Sequence, residues 1–304
     1  MKKQIKDILN KLPYIKTLYE KTKVYSQNAC YPPGHFYSPI VSVQDVMKRE
    51  DEIWKGVDRD IIADVNLNTQ EQITFVGETL SIYYQEMPYS EKKVDGLRYA
   101  FENGMYEETD GTILYSMIRH LKPKRIIEIG SGHSSALMLD VNELFFDNKI
   151  ELSLIEPNPE RLYNNIRETD KKQTRILEKK VQEVEPSFFS SLEAGDILFV
   201  DSTHVAKCGS DVNYIFFEIL PLLKRGVYIH FHDIFYPFEY PKKWVFEGRN
   251  WNENYMLRTF LMNNRDYSIK VFSHYLHKHH KEAFKKMPIT YKNHGGNIWL
   301  EKLK

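Results

Sequence analysis

The sequence predicts an α/β fold: a doubly wound, mostly parallel sheet with an antiparallel edge near the C-terminus, preceded by a helical extension. Three observations carry that expectation. Short apolar runs at 126–129, 150–156, 174–177, 195–201 and 227–231 alternate with stretches of helical period. Most of these runs end in a glycine turn or in an acid, where open α/β sheets place their ligands. The last two runs, 269–272 and 297–300, flank a long polar connection and read as a hairpin pair at the sheet edge. Of the 304 residues 42% are hydrophobic, which is ample for a buried core.

Residues 1–24 place Ile5, Ile8, Leu9, Leu12, Ile15, Leu18 and Tyr19 at helical spacings, with lysines around the rest of the helix and Pro13 expected to kink or split it. A helix docked on its own domain is the preferred reading; contact with a membrane surface or a partner is the alternative. Residues 31–39, Tyr-Pro-Pro-Gly-His-Phe-Tyr-Ser-Pro, are kept out of helix and sheet by three prolines and a glycine. Such a ring-rich loop ties down the N-terminus or roofs a ligand site. From Val43 to Lys122 the pattern is mostly helical, with Ile73, Val76 and Leu80 on one face, and Ile113, Leu114, Met117, Ile118 and Leu121 on another. Pro123 ends that layer. Helices are then expected at 134–144, at 159–169, and from a cap at Ser210 or Asp211 through Leu220, with Gly226 closing the last. The division is an N-terminal helical extension with its loop at 1–110 and an α/β domain at 111–304.

The strand Ile126, Ile127, Glu128, Ile129 breaks into Gly130-Ser131-Gly132 and opens a helix. A dinucleotide fingerprint would place a third glycine at 135, and Ser135 stands there, so a nucleoside without phosphates fits better than a pyrophosphate. Glu128 supplies a late-strand acid that can accept a hydrogen bond from a ligand amine or a loop amide. Glu156 lies 24 residues beyond Gly132, close to the ~20-residue offset at which an acid grips ribose hydroxyls. Together they give the Rossmann-like pattern expected for S-adenosylmethionine.

With these blocks in view, the chain resembles the class I S-adenosylmethionine-dependent methyltransferases, in the bacterial branch with a long N-terminal helical extension (methyltransferase family 24-like). The resemblance runs from residues 34–39 through 127–132 and the block Phe199-Val200-Asp201-Ser202-Thr203-His204, to His230-Phe231-His232-Asp233-Ile234-Phe235 and residues 237–241. It implies that Glu128, Gly130, Ser131 and Gly132 lie along the methionine part of the cofactor, Glu156 on the ribose, and Gln182 or its neighbours near the adenine, with Asp201 also at the cofactor. Asp201, His204, His232 and Asp233 fall at neighbouring strand ends and are the candidate catalytic residues. In one mechanism a histidine is the general base toward a hydroxyl or amine. In the other, Asp201 and Asp233 hold a divalent cation such as Mg, as metal-dependent O-methyltransferases place acids at these two strand ends. Ile234 stands where those relatives carry an amide ligand, with His204 or His232 as the substitutes.

Lys plus Arg and Asp plus Glu are both 42, so no overall basic field is available for nucleic acid. Cys30 and Cys208 are read as reduced thiols, Cys208 as a small filler, and the protein as cytoplasmic with neither signal peptide nor membrane span. His230 is read as a satisfied internal histidine, and His274, His277, His279 and His280 as a solvated run. The rings of 235–240, with Trp244 and Trp251, are candidates to wall an acceptor pocket. The expected activity is O-methylation of a small or sugar-like acceptor, a glycan precursor among them. The rivals are a catalytically inactive nucleoside-binding partner module and a metallohydrolase built on Asp201, His232 and Asp233.

Overall fold

The computed structural model describes residues 13–304. The apolar positions expected at Ile5, Ile8, Leu9 and Leu12 lie outside the described residues. The chain forms two compact units: one takes it up to Lys55 and adds Pro241–Asn250, the other holds Gly56–Tyr240 and Trp251–Lys304.

In the first unit, helix α1 (Pro13–Asn28) has no buried residue. Tyr14, Leu18, Tyr19 and Val24 are all exposed, so the docked face expected of this helix is not formed over its described part. The ring-rich loop packs on itself instead: Tyr31 stacks on His35 at 4.7 Å, and Phe36 is 82% exposed. Two short helices follow, Val43–Lys48, capped by the Ser42 hydroxyl, and Glu50–Ile53.

The second unit carries the sheet. Residues 69–86 are helical throughout and bury Val76 and Leu80 as their spacing predicts. Residues 87–107, expected to be mostly helical, contain no helix. Pro88, Gly96 and Gly104 interrupt the period, and the amides of Arg98 and Tyr99 bond the buried Asp140 carboxylate instead of a helical carbonyl. The Arg98 guanidinium joins Asp140 at 2.9 Å and Asp170 at 2.6 Å, tying this segment to the α/β core. Helix α2 (Glu108–Leu121) buries Ile113, Leu114, Met117 and Ile118 completely and ends where Lys122 turns left-handed.

Strands β1 (Arg125–Ile129), β2 (Glu151–Ile155), β3 (Arg175–Leu177), β4 (Ile197–Val200), β5 (Tyr228–His232), β6 (Tyr267–Phe272) and β7 (Asn297–Lys302) form one sheet in the order β3-β2-β1-β4-β5-β7-β6. The first five pair in parallel, and β7 runs antiparallel to both β5 and β6. All four residues of β4 are fully buried, as are Ile229 and Phe231 on β5. Helices cover both faces of such a sheet, so its strands read as continuous apolar runs. Each of these buried side chains is worth roughly 1.5–3 kcal/mol.

Helix α3 (His133–Phe146) follows β1. The single helix expected at 159–169 is two, Glu160–Asn165 and Glu168–Gln173, because Asp170 turns back to accept the Arg167 amide at 2.6 Å and pairs with Arg98. Ser210 caps the helical stretch that begins at Asp211, accepting from the Asn213 amide at 3.2 Å. Helix α4 (Glu253–Leu261) precedes the C-terminal hairpin pair. Between β6 and β7 the connection is not a solvated run: helix α5 (Ser273–His279) buries His277, which stacks on Phe284 at 3.9 Å, and His274 accepts a hydrogen bond from the Tyr236 amide. No described helix is long and apolar enough to cross a membrane.

Candidate active site at the strand ends

The sheet order puts β1, β4 and β5 side by side, with the switch in chain direction between β1 and β4. Ile129 pairs with Val200 and Val200 with Phe231, so the residues that follow, Gly130, Asp201 and His232, emerge together at the carboxyl ends. Gly130 takes φ +80°, and a Cβ there would stand 1.8 Å from the carbonyl oxygen of Asp201. Only glycine fits, and the turn thereby packs directly on the backbone of Asp201 at the edge of the acid cluster. The Ser131 amide donates to Glu156 at 3.2 Å and the Gly132 amide to the Ser135 hydroxyl at 2.9 Å. Glu128, fully buried beneath the turn, accepts from the hydroxyls of Ser134, at 2.6 Å, and Ser135. Burial pushes its carboxyl up to about 7 against those hydroxyl bonds. Ser135, where a third glycine would stand, thus serves as the clasp between Glu128 and the turn.

The second part of the site alternates acids and imidazoles. His204 Nε2 lies 3.5 Å from Asp201 Oδ1 and 3.5 Å from Asp233 Oδ2. His232 Nδ1 lies 3.5 Å from Asp201 Oδ1 and 3.7 Å from Asp233 Oδ1. Behind each imidazole stands another buried carboxylate, Glu253 at 2.9 Å from His204 Nδ1 and Asp110 at 3.8 Å from His232 Nε2. His204 and Asp233 both hold left-handed backbone, at φ +61° and +57°, a conformation that costs a non-glycine residue about 1–3 kcal/mol and is kept where surroundings over-determine it. Burial pulls the His204 imidazole down, but hydrogen bonds and charge from Asp201 and Glu253 outweigh it and raise it to about 10. His232 is likewise raised well above its ordinary value by Asp233 and Asp201 against burial. Burial raises the Asp201 carboxyl, yet the two imidazoles hold it well below the usual carboxylate range; its side chain remains 35% exposed. At Asp233 burial prevails and the carboxyl is raised.

Comparison with known proteins gives this geometry a family. The profile described as a methyltransferase domain matches residues 127–234, the span from β1 through the end of β5. An uncharacterized protein of Archaeoglobus fulgidus is 36% identical over 172 residues, covering 54% of this chain and 74% of that protein. The chain belongs to the class I S-adenosylmethionine-dependent methyltransferases. Among solved structures, the methyltransferase PaMTH1 of Podospora anserina, bound to S-adenosylhomocysteine, is 16% identical over 80% of this chain and 99% of that one, with a TM-score of 0.43. The O-methyltransferase TomG of Streptomyces achromogenes, in complex with S-adenosylmethionine, is 14% identical over 84% and 99%, with a TM-score of 0.39.

At Gly130 the Cβ position is taken by the chain's own Asp201 carbonyl oxygen, so the glycine serves the packing of the β1 turn against the end of β4. Glu156, at the end of β2, remains half-buried and accepts from the amides of Ser131 and Asn158. Gln182 donates to the Gly209 carbonyl at 2.9 Å, bridging the loops after β3 and β4. The donor set fits a divalent cation less well. Ile234 is fully buried, and no group of three or more His, Cys, Asp or Glu among the described residues is arranged to hold a metal ion.

His230 is a fully buried internal histidine, and its ring stacks on Phe199 at 3.8 Å. Other expectations change. Tyr236, Phe238 and Tyr240 are core residues rather than an open wall, whereas Trp251 lies against the His204 ring at 4.5 Å. Cys208 is an exposed free thiol, not a filler, and Cys30 is exposed too.

Asp110 and Glu253 were not read from the sequence as site residues, because neither ends a strand. Their signal is phase. Asp110 shares the apolar face of Ile113, Leu114 and Met117, and Glu253 that of Leu257 and Leu261, and an acid in the buried stripe of a helix needs a partner inside the protein.

Proposed function

We propose that the methyltransferase moves the methyl group of S-adenosylmethionine onto a hydroxyl oxygen of a small or sugar-like acceptor. The observation that carries the reading is the convergence of Asp201, His204, His232 and Asp233 beside the glycine turn, so that acceptor-side acid–base groups adjoin the methionine end of the cofactor site. Gly130, Ser131 and Gly132 hold the methionine part, with Glu128 fixing the turn; Glu156 takes the ribose and Gln182 stands near the adenine.

Once bound, the cofactor supplies an already activated methyl group. The chain must align the acceptor lone pair with it and accept one proton. His204 and His232, with raised pKa values, are charged at neutral pH and act as fixed positive partners for the developing oxyanion, not as bases. Asp233, raised by burial, is the better proton acceptor of the two strand-end acids, and Asp201, held low, keeps both imidazoles in place.

The test has two stages. Calorimetry with S-adenosylhomocysteine should show binding to the wild type and loss of binding in Gly130→Ala; absence of binding to the wild type rejects the cofactor site. Turnover is then measured on paired hydroxyl and amine acceptors, each with and without EDTA. Methylation of hydroxyl acceptors that survives EDTA is expected. Turnover of amines alone rejects oxygen transfer, and activity abolished by EDTA and restored by Mg rejects the metal-free centre.

A further inference from the structure

Both imidazoles of the cluster are gripped from behind, and the grip comes from helices far from the strand ends in sequence. Glu253 is 1% exposed, yet every polar contact of its carboxylate serves the loop after β4: Oε2 accepts from His204 Nδ1 at 2.9 Å and Oε1 from the Ser202 hydroxyl at 3.0 Å. The backbone reinforces it, since the amides of Asn252 and Glu253 donate to the His204 carbonyl at 3.0 and 3.2 Å. Trp251 covers the ring face. The left-handed backbone at His204 is therefore held by the start of α4 through side chain and main chain together. Asp110 plays the corresponding part for His232. Its Oδ1 is fixed by the Gly296 amide at 3.0 Å and the Asn297 amide group at 2.5 Å, leaving Oδ2 facing His232 Nε2.

Burying two carboxylates is costly unless the partner and the remaining lone pairs are satisfied, and a carboxylate on the far nitrogen of a functional imidazole fixes ring orientation and proton position. We infer that Glu253 and Asp110 are positioning residues for methyl transfer: each anchors the outer nitrogen of one imidazole, so that the inner nitrogens of His204 and His232 are aimed at Asp201 and Asp233. The assignment rests on the proposed role of that cluster, but it makes a claim about ring orientation that stands apart from the acceptor. Glu253 is the stronger anchor, because it makes a hydrogen bond doubled by the backbone; Asp110, at 3.8 Å, faces its imidazole only as an ion pair and is the weaker.

The variants Glu253→Gln and Asp110→Asn keep side-chain shape and can still accept one hydrogen bond. In protein labelled with 15N at histidine, the ring nitrogens of His204 and His232 report proton position by NMR whether or not an acceptor is known. Glu253→Gln should move the His204 signals toward the neutral ring at neutral pH and leave those of His230 in place; Asp110→Asn should do the same to His232, less strongly. S-adenosylhomocysteine affinity should stay within about threefold in both, which separates this inference from failure of the cofactor site. On whichever hydroxyl acceptor turns over, kcat should fall about a hundredfold in Glu253→Gln with KM little changed, and the alkaline limb of the pH profile should move to lower pH. Glu253→Asp, which retains the charge, should recover part of kcat. Unmoved His204 signals in a folded Glu253→Gln protein would overturn the inference. So would a fall in thermal stability with the NMR signals and the pH profile of the wild type. If no hydroxyl acceptor turns over while the ring signals move as stated, the positioning holds and the proposed reaction fails.

Discussion

His230 and His232 stand two residues apart on β5, on the same face, with ring centroids 6.1 Å apart, yet they are driven in opposite directions. Both are buried. His230 falls to about 3, first because burial disfavours its charged form and then because His232 beside it is charged. His232 rises because carboxylates of Asp233, Asp201 and Asp110 meet it. The contrast extends over the second unit: His204 belongs with His232, while His274 and His277, among aromatic rings, lysines and other histidines, are lowered by burial to about 4 and about 3. Burial alone makes an imidazole neutral; a buried acid reverses the sign. One residue type thereby furnishes a charged catalytic cluster and a neutral core set within one unit.

The largest effect that bears on this contrast is expected from removing one of the two acids that both charged imidazoles share. Asp201→Asn leaves the strand end in shape but takes away one of the two charges, the other being that of Asp233, that His204 and His232 have in common. Methyl-transfer rate should fall roughly 10²–10³-fold, the range for loss of one preorganised electrostatic partner, with S-adenosylhomocysteine binding changed far less. Initial rates and calorimetry on the same preparation check it. A rate within tenfold of the wild type would place the chemistry elsewhere.

Stability against pH sharpens the contrast from the other side, because the two sets have opposite signs. The neutral set has folded values of about 3 to 4 against an unfolded value of about 6.5. Its contribution is complete above about pH 6.5 and is lost progressively as pH falls toward the folded values, since the unfolded chain takes up protons that the folded one refuses. His204 runs the other way: its contribution is complete below about pH 6.5 and is lost as pH rises through about 10. Thermal denaturation across pH should fall on both sides of a near-neutral plateau, by several kcal/mol on the acid side. A stability that stays flat between pH 6.5 and 4.5 would show that the neutral set is solvated after all.

The sequence was most legible where one physical rule acts alone. Fully buried parallel strands must be apolar runs, so β1, β2, β4 and β5 and the residues that end them could be located from the chain. Gly130 was legible because only glycine tolerates a backbone approach of this kind. Glu128 was placed in the right turn, but that its oxygens would be taken by Ser134 and Ser135 depended on the helix that follows. Asp110 and Glu253 were missed because their partners lie far away in sequence, and only the fold brings α2 and α4 against the ends of β4 and β5. The histidines of α5 were misread as solvated because lysines flank them; tertiary packing on Phe284 and Thr109 decided otherwise. The charge state of a histidine is set by its neighbours in space, and local sequence does not list them.

The smallest expected effect is the sharpest test of the contrast, because it concerns the histidine nearest the catalytic pair. His230 stacks face to face on Phe199 and lies edge-on to Trp299. It is a flat neutral ring in an aromatic slot, so His230→Phe exchanges one flat ring for another of slightly larger volume. At pH 7 the cost should stay below about 1.5 kcal/mol, the usual bound for a near-isosteric core exchange, and methyl-transfer activity should remain within about threefold. As pH drops below about 6.5 the wild type loses stability through protonation of unfolded His230 and the variant does not, so the stability difference should shrink and then change sign. Paired denaturant titrations at pH 7 and pH 5 read this directly. A variant whose deficit grows in acid, or whose activity falls as far as that of Asp201→Asn, would mean that His230 shares the charge of the cluster two residues away, and the division between the two sets of histidines would dissolve.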